Sequence, residues 1–153
     1  MNYRNLLTGL ILFTIISCKK DGGGSLSIKL TSLSATNIQV GEDLLVNFDF
    51  TDKGGHPIDT IYIGKTRINQ IQTVTQGDSF YISAPGYDGS PKGQMQLDLG
   101  YEDFLISAIT PPQYGTPPVD YPDSLIFQFV AKDNAGNVSD TVTTGLIIVQ
   151  RFN

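Results

Sequence analysis

Leu125-Ile126-Phe127-Gln128-Phe129-Val130-Ala131-Lys132 runs straight into Asp133-Asn134-Ala135-Gly136-Asn137. In the first eight residues Leu125, Phe127, Phe129 and Ala131 alternate with the positions of Gln128 and Lys132. Successive side chains of an extended chain point to opposite faces, so this stretch reads as a strand with one buried and one wet face. In the next five residues Asn and Gly accept a positive φ, and Asp can form an Asx turn. That is the chemistry of a hairpin turn, and it implies an antiparallel sheet.

The same period recurs on either side. Leu44, Val46, Phe48 and Phe50 share one face of Leu44–Thr51, with Asn47, Asp49 and Thr51 on the other. Met95, Leu97 and Leu99 alternate with Gln96 and Asp98. Further strands are expected over Leu26–Leu33, Ile38–Val40, Ile58–Ile63, Phe80–Ser83, Phe104–Ala108 and Val138–Val149. No stretch after residue 25 keeps helical spacing for three turns. The expectation is an all-β fold, a single antiparallel sandwich or barrel over residues 26–153. Lys53-Gly54-Gly55-His56-Pro57 reads as a second turn in the same style. The segment Pro111–Pro118 lacks amides at four positions and is expected to be an extended, semi-rigid crossover between sheets.

Two segments carry a resemblance. Phe129–Ser139, "FVAKDNAGNVS", resembles the last hairpin of bacterial immunoglobulin-like and fibronectin-III-like modules, where a strand runs into D-x-A-G-N-x-S. Phe48–Gly55, "FDFTDKGG", is similar to an early hairpin of small Bacteroidota lipoproteins that often read T-D-G-D-G-D there; Lys53 and Gly55 stand here where acids would. The resemblance implies an immunoglobulin-like β-sandwich. The cysteines and tryptophan of antibody-type domains are missing.

Residues 1–17 have the plan of a cleaved secretion signal: Arg4, then the apolar run Leu6–Ile16, then the small Ser17. Eleven residues make a helix of about 16 Å, too short for a hydrocarbon core of roughly 30 Å. Ile15-Ile16-Ser17-Cys18 resembles the lipobox of bacterial lipoproteins, which implies cleavage before Cys18 and its acylation with diacylglycerol. Cys18 is the only cysteine, so neither an internal disulfide nor a second thiol competes for it. Residues 18–25, with Gly22-Gly23-Gly24, read as a flexible tether. Lys19-Lys20-Asp21 is similar to the lysine/acidic segment that directs Bacteroidota lipoproteins to the cell surface. The expected address is the outer membrane, lipid-anchored and facing outward, with a periplasmic face as the alternative.

The net charge of −5 argues against nucleic acid, which requires a basic patch, and against peripheral binding to anionic lipid. His56 is the only histidine and sits in a turn, short of the partners a nucleophile or a zinc site needs. Glu102 and Asp103 are adjacent, and on a strand they would point to opposite faces; Glu42 and Asp43 lie at a strand start. An enzyme is not expected. No cofactor is expected, with calcium as the one candidate: Asp49, Asp52, Asp133, Asn134 and Asn137 would offer oxygens if the two turns share an end. The same residues also serve turn geometry. Tyr81, Tyr87, Tyr101, Tyr114 and Tyr121 are the aromatics available to a sugar, and Tyr114 and Tyr121 are the candidate binding patch.

The sequence thus leads to a lipid-anchored, non-enzymatic domain for binding, adhesion or scaffolding, with an envelope protein or a glycan as partner. A carbohydrate-binding accessory of a glycan-capture system is the first alternative. A small hydrolase with an atypical site is the second.

Overall fold

A computed structural model describes residues 26–69, 77–85, 90–107 and 110–151. The signal, Cys18, the tether and Tyr87 lie outside the described residues. In chain order the strands are β1 (Leu26–Leu33), β2 (Asn37–Ile38), β3 (Leu44–Asp52), β4 (Ile58–Arg67), β5 (Gly77–Ser83), β6 (Lys92–Leu99), β7 (Gln113–Tyr114), β8 (Val119–Asp120), β9 (Asp123–Asp133), β10 (Val142–Thr143) and β11 (Ile147–Val149). A π-helical turn, Tyr101–Leu105, follows β6. The chain is all-β.

One sheet has the order β1-β3-β6; the larger one runs β2-β11-β9-β4-β5, with β10 also paired to β9. The described pairs are antiparallel except β2 with β11. The alternating strands turn their apolar rows toward each other. Val46, Phe48, Leu97 and Leu99 from the smaller sheet, and Ile61, Ile63, Phe127 and Phe129 from the larger, are at most 2% exposed. Phe48 meets Phe129 edge-on across the gap, ring centroids 5.0 Å apart at 70°. Burial of each such side chain stabilises the fold by about 1.5–3 kcal/mol.

Four expectations change. Lys53–Pro57 is not a hairpin: β3 and β4 belong to different sheets, so these residues carry the chain across the core. Of the strand expected over Phe104–Ala108, Ala108 lies outside the described residues and Phe104–Ser107 is not a strand: Asp43 Oδ1 accepts the Tyr101 amide at 2.8 Å, and the π-helical turn begins there. The stretch Val138–Val149 is broken into β10 and β11. Ser139 and Thr144 insert their hydroxyls, which accept the Ala131 and Phe127 amides at 2.9 and 3.0 Å in place of a strand. Pro111–Pro118 does cross between sheets, but it is not extended. Its remaining amides suffice for a small hairpin, β7 with β8, reversed at Gly115 with φ 94°.

Pairing also fixes the polarity of the molecule. Leu26 lies opposite Asp52, and Ile58 opposite Asp133, so the first described residue and both Asp/Gly turns share one end. Arg67 lies opposite Leu125, and Leu44 opposite Leu99, so the π-helical turn and the β7–β8 hairpin belong to the other.

Candidate functional site

The β7–β8 hairpin presents the two tyrosines that the sequence singled out. Tyr114 is 61% exposed and Tyr121 36%, and their rings stand edge to face, centroids 6.1 Å apart at 85°. The hairpin is held at its base. Pro112 is buried, its carbonyl accepts the Tyr121 amide at 2.7 Å, and Gln113 Nε2 donates to Asp120 at 2.7 Å. Asn69 Oδ1 accepts the Ser124 amide at 2.8 Å while its Nδ2 donates to the Pro122 carbonyl, tying the start of β9 to the end of β4. The result is an exposed aromatic pair on a fixed support.

Beneath this end lies a buried ionic cluster that the sequence reading missed. The inward row of β4 runs Ile61, Ile63, Lys65, Arg67, and the last two are each 1% exposed. Lys65 Nζ donates to the carbonyls of Phe104 and Ser107, both at 2.7 Å, and lies 5.2 Å from the centre of the Phe80 ring. Burial pushes the Lys65 ammonium down to about 8, against the pull of Asp78 and Asp123. Arg67 donates to the Thr110 carbonyl and pairs with Asp123 at 2.6 Å; Arg151 takes the other oxygen of Asp123. These cations pin the segment that leads into the hairpin.

The other end gathers most of the calcium candidates and shows what already occupies them. Asp52 and Asp133 are buried. Asp52 accepts the amides of Gly54 at 2.8 Å and His56 at 2.6 Å. Asp133 accepts the Asn137 amide and the Asn137 Nδ2, both at 2.7 Å. Burial alone would raise the Asp133 carboxyl, but donation from Asn137 and the Ala135 amide outweighs it and holds the group below the usual carboxylate range; His56 acts in the same direction. The Asn134 amide donates to the Pro57 carbonyl at 3.0 Å, which joins the two turns. Asp49 is not with them: it faces outward on β3 and accepts Gln94 Nε2 at 3.0 Å. Among the described residues no three His, Cys, Asp or Glu side chains are grouped to hold a metal ion.

Tyr101 is a core residue whose hydroxyl donates to the Gln150 carbonyl at 2.6 Å, and burial pushes its pKa up. Glu102 and Asp103 are exposed on the π-helical turn, Glu42 accepts the Gln39 amide, and His56 is exposed. Tyr81 lies on the outer face of the larger sheet. No described helix is long and apolar enough to cross a membrane.

No protein-family model and no curated protein matches the chain. Among solved structures it is similar to an alkylpurine DNA glycosylase of Pseudomonas fluorescens bound to DNA containing an abasic-site analogue, with TM-score 0.47 and 10% identity over 84% of this chain and 31% of that one. It is similar to a β-glucosidase from Listeria innocua in complex with gluconolactone, with TM-score 0.42 and 12% identity over 85% of this chain and 16% of that one. A sporulation control protein from Bacillus subtilis aligns with TM-score 0.43 and 11% identity over 83% of this chain and 50% of that one. The chain therefore spans half or less of these proteins.

Proposed function

We propose that the chain is a lipid-anchored, non-enzymatic binding protein of the outer membrane: an immunoglobulin-like sandwich tethered through acylated Cys18, with the Tyr114–Tyr121 hairpin as its contact tip. The carrying observation is the polarity of the molecule. The first described residue, Leu26, lies at the end where it faces Asp52, and the hairpin stands at the opposite end. The eleven residues of β9 separate the two ends by roughly 35 Å. A tether at one end and exposed aromatics at the other suit a protein that reaches away from a bilayer.

The strand order supports the immunoglobulin-like reading. An ABE-type sheet corresponds to β1-β3-β6 and a C′CFG-type sheet to β5-β4-β9-β11. The non-enzymatic reading is supported by His56, the one imidazole, whose neighbour Asp52 already accepts two backbone amides. Two acyl chains or more give stable anchoring where one would be marginal.

The test is fractionation and shaving. Wild type is expected in the outer-membrane fraction and to be cleaved by protease added to intact cells, and Cys18→Ala is expected in the soluble fraction. Membrane retention of Cys18→Ala would refute the anchor, and protection of the wild type would refute the outward face. A second reading, a carbohydrate-binding accessory, is favoured by the edge-to-face pair at the tip. Saturable binding on a glycan array, lost in Tyr114→Ala and Tyr121→Ala, would select it over a protein partner.

A further inference from the structure

The long strands at the sheet edges are β1, β5 and β6. A bulge between Leu30 and Ser32 interrupts β1. The one charged side chain of β5, Asp78, lies 4.0 Å from buried Lys65. On β6 the register is unbroken, and the exposed row reads Lys92, Gln94, Gln96, Asp98, a cation at one end and an acid at the other. The Pro91 carbonyl accepts the Asp52 amide at 2.8 Å. Backbone bonding alternates along an antiparallel pair, so Gly93, Met95, Leu97 and Leu99 direct their backbone groups at β3. Those of Lys92, Gln94, Gln96 and Asp98 point to the free edge, where no described residue pairs with them. Charge along the smaller sheet is divided in the same way. Lys53 and Lys92 are exposed at the pole of Leu26 and Asp52; Glu42, Asp43, Asp98, Glu102 and Asp103 are exposed at the pole of Leu44 and Leu99. Lys29 and Asp49 oppose each other between the poles. Asp59, at the cation pole, is held by the Thr60 hydroxyl on β4, in the other sheet.

We propose that β6 pairs antiparallel with β6 of a second copy of this chain, about a two-fold axis at Met95. Lys92 of each copy then lies opposite Asp98 of the other, and Gln94 opposite Gln96. These are the four residues whose amides and carbonyls face the edge, and they supply about eight hydrogen bonds between the copies. A slide of two residues would set Lys92 opposite Gln96 and lose both charge pairs. Poles of opposite sign meet in this arrangement, which favours a second copy over an unrelated strand. The axis suits the larger sheet as well. Met95 pairs with Phe48, Phe48 meets Phe129, Phe129 pairs with Ile63, and Ile63 pairs with Phe80. Phe80, on the edge strand β5, is therefore level with the axis. Phe80 and Ile82 are only partly buried, and the second copy covers them on that open rim. In such a pair the two Leu26 ends lie at opposite poles. Resting on the anchor proposed above, the paired copies are rooted in facing membranes, and the contact is homophilic adhesion.

The first test is sedimentation velocity of the full-length protein in detergent, with micelles in excess. Wild type is expected to move toward the dimer as its concentration rises. Lys92→Asp and Asp98→Lys should each weaken the dimer by about tenfold or more, and an equimolar mixture of the two should restore it, because every cross-pair is then of opposite sign. Gln96→Pro removes an amide that faces the edge and not β3; it should abolish the dimer while the far-ultraviolet circular dichroism stays unchanged. A wild type monomeric from about 1 to 300 μM, single variants as dimeric as wild type, or a mixture no more dimeric than its components would each overturn the pairing. The second test is vesicle clustering. Vesicles bearing wild type are expected to cluster, and those bearing Lys92→Asp to cluster only with those bearing Asp98→Lys. Dispersed wild-type vesicles alongside a dimer in detergent would overturn the facing-membrane arrangement. Protein that dimerises but does not associate with vesicles would refute the anchor and leave the β6 pairing standing.

Discussion

At one end of the molecule the buried charges are acids, Asp52 and Asp133; at the other they are the bases Lys65 and Arg67, with Asp123 between Arg67 and Arg151. Each of these residues continues the inward row of its strand, after Phe50 on β3, after Ala131 and before Leu125 on β9, after Ile63 on β4. What differs is the backbone each row meets. The tight Asp/Gly turns point amides inward, and the carboxylates accept them. Phe104, Ser107 and Thr110 point their carbonyls inward, and the cations donate to them. An inward position at a strand end thus takes the charge that its loop leaves unsatisfied, because a buried backbone group without a partner is costly.

The cation end should be the more fragile. Asp123→Ala strips two buried guanidiniums of their shared carboxylate and should cost about 3–5 kcal/mol in urea unfolding. A loss below about 1 kcal/mol would mean that the cluster contributes little and that the contrast between the ends is one of geometry only. At the acid end, Asp133→Ala removes donors' partners without stranding a charge and should cost about 2 kcal/mol, with Asp133→Asn in between. The acid response follows from its depressed pKa: the stabilisation is complete above the unfolded value of about 3.9 and is lost as pH falls through the folded one. Wild type should therefore lose more stability than Asp133→Asn when acidified below about pH 4.

Lys65 gives the same sign of pH dependence in a higher window. Burial holds its folded pKa at about 8, below the ordinary lysine value of 10.5, so between those values the unfolded chain binds more protons and stability rises with pH. Chemical unfolding of wild type against Lys65→Met from pH 8 to 10.5 should show that rise in wild type alone; parallel curves would remove Lys65 as its source. The smallest effect is expected from calcium. The carboxylate oxygens of Asp52 and Asp133 are already accepting amides, so millimolar calcium or chelator should shift the melting temperature by less than about 1 °C. A shift of several degrees would give the acid end a ligand as well as a structural task.

Much of the fold was legible because β3 and β9 each have one wet face, and alternation survives in a one-dimensional pattern. Lys65 and Arg67 were hidden by the same logic. Ile61 and Ile63 set the parity, and extending it by four residues turns both cations inward, but lysine after glycine reads as a solvated strand end. No local signal announces carbonyls some forty residues away. The π-helical turn was missed for a like reason: Phe104-Leu105-Ile106 is a short apolar run that fits a strand or a helix equally, and its cap, Asp43, comes from a distant part of the chain. Tyr114 and Tyr121 could be chosen from the loop composition, whereas their pairing depended on the amides left between the prolines rather than on those removed. The charge pattern of β6 escaped because the expected alternation began at Met95, which leaves Lys92 out, and only the pairing shows which edge is free.

The parallel pair of β2 and β11 bears on the order of assembly. A chain is made from its N-terminus, and β1, β3 and β6 are all present once residue 99 has emerged. Asn37 and Ile38 have to wait for Ile148 and Val149, more than a hundred residues later, and Arg151 reaches Asp123 only then. Contacts of such long sequence separation close slowly. The smaller sheet can therefore form, and β4 and β9 can cover much of its apolar face, while the larger sheet still lacks β11; Ile38 gains its partner strand only when residues 147–149 arrive.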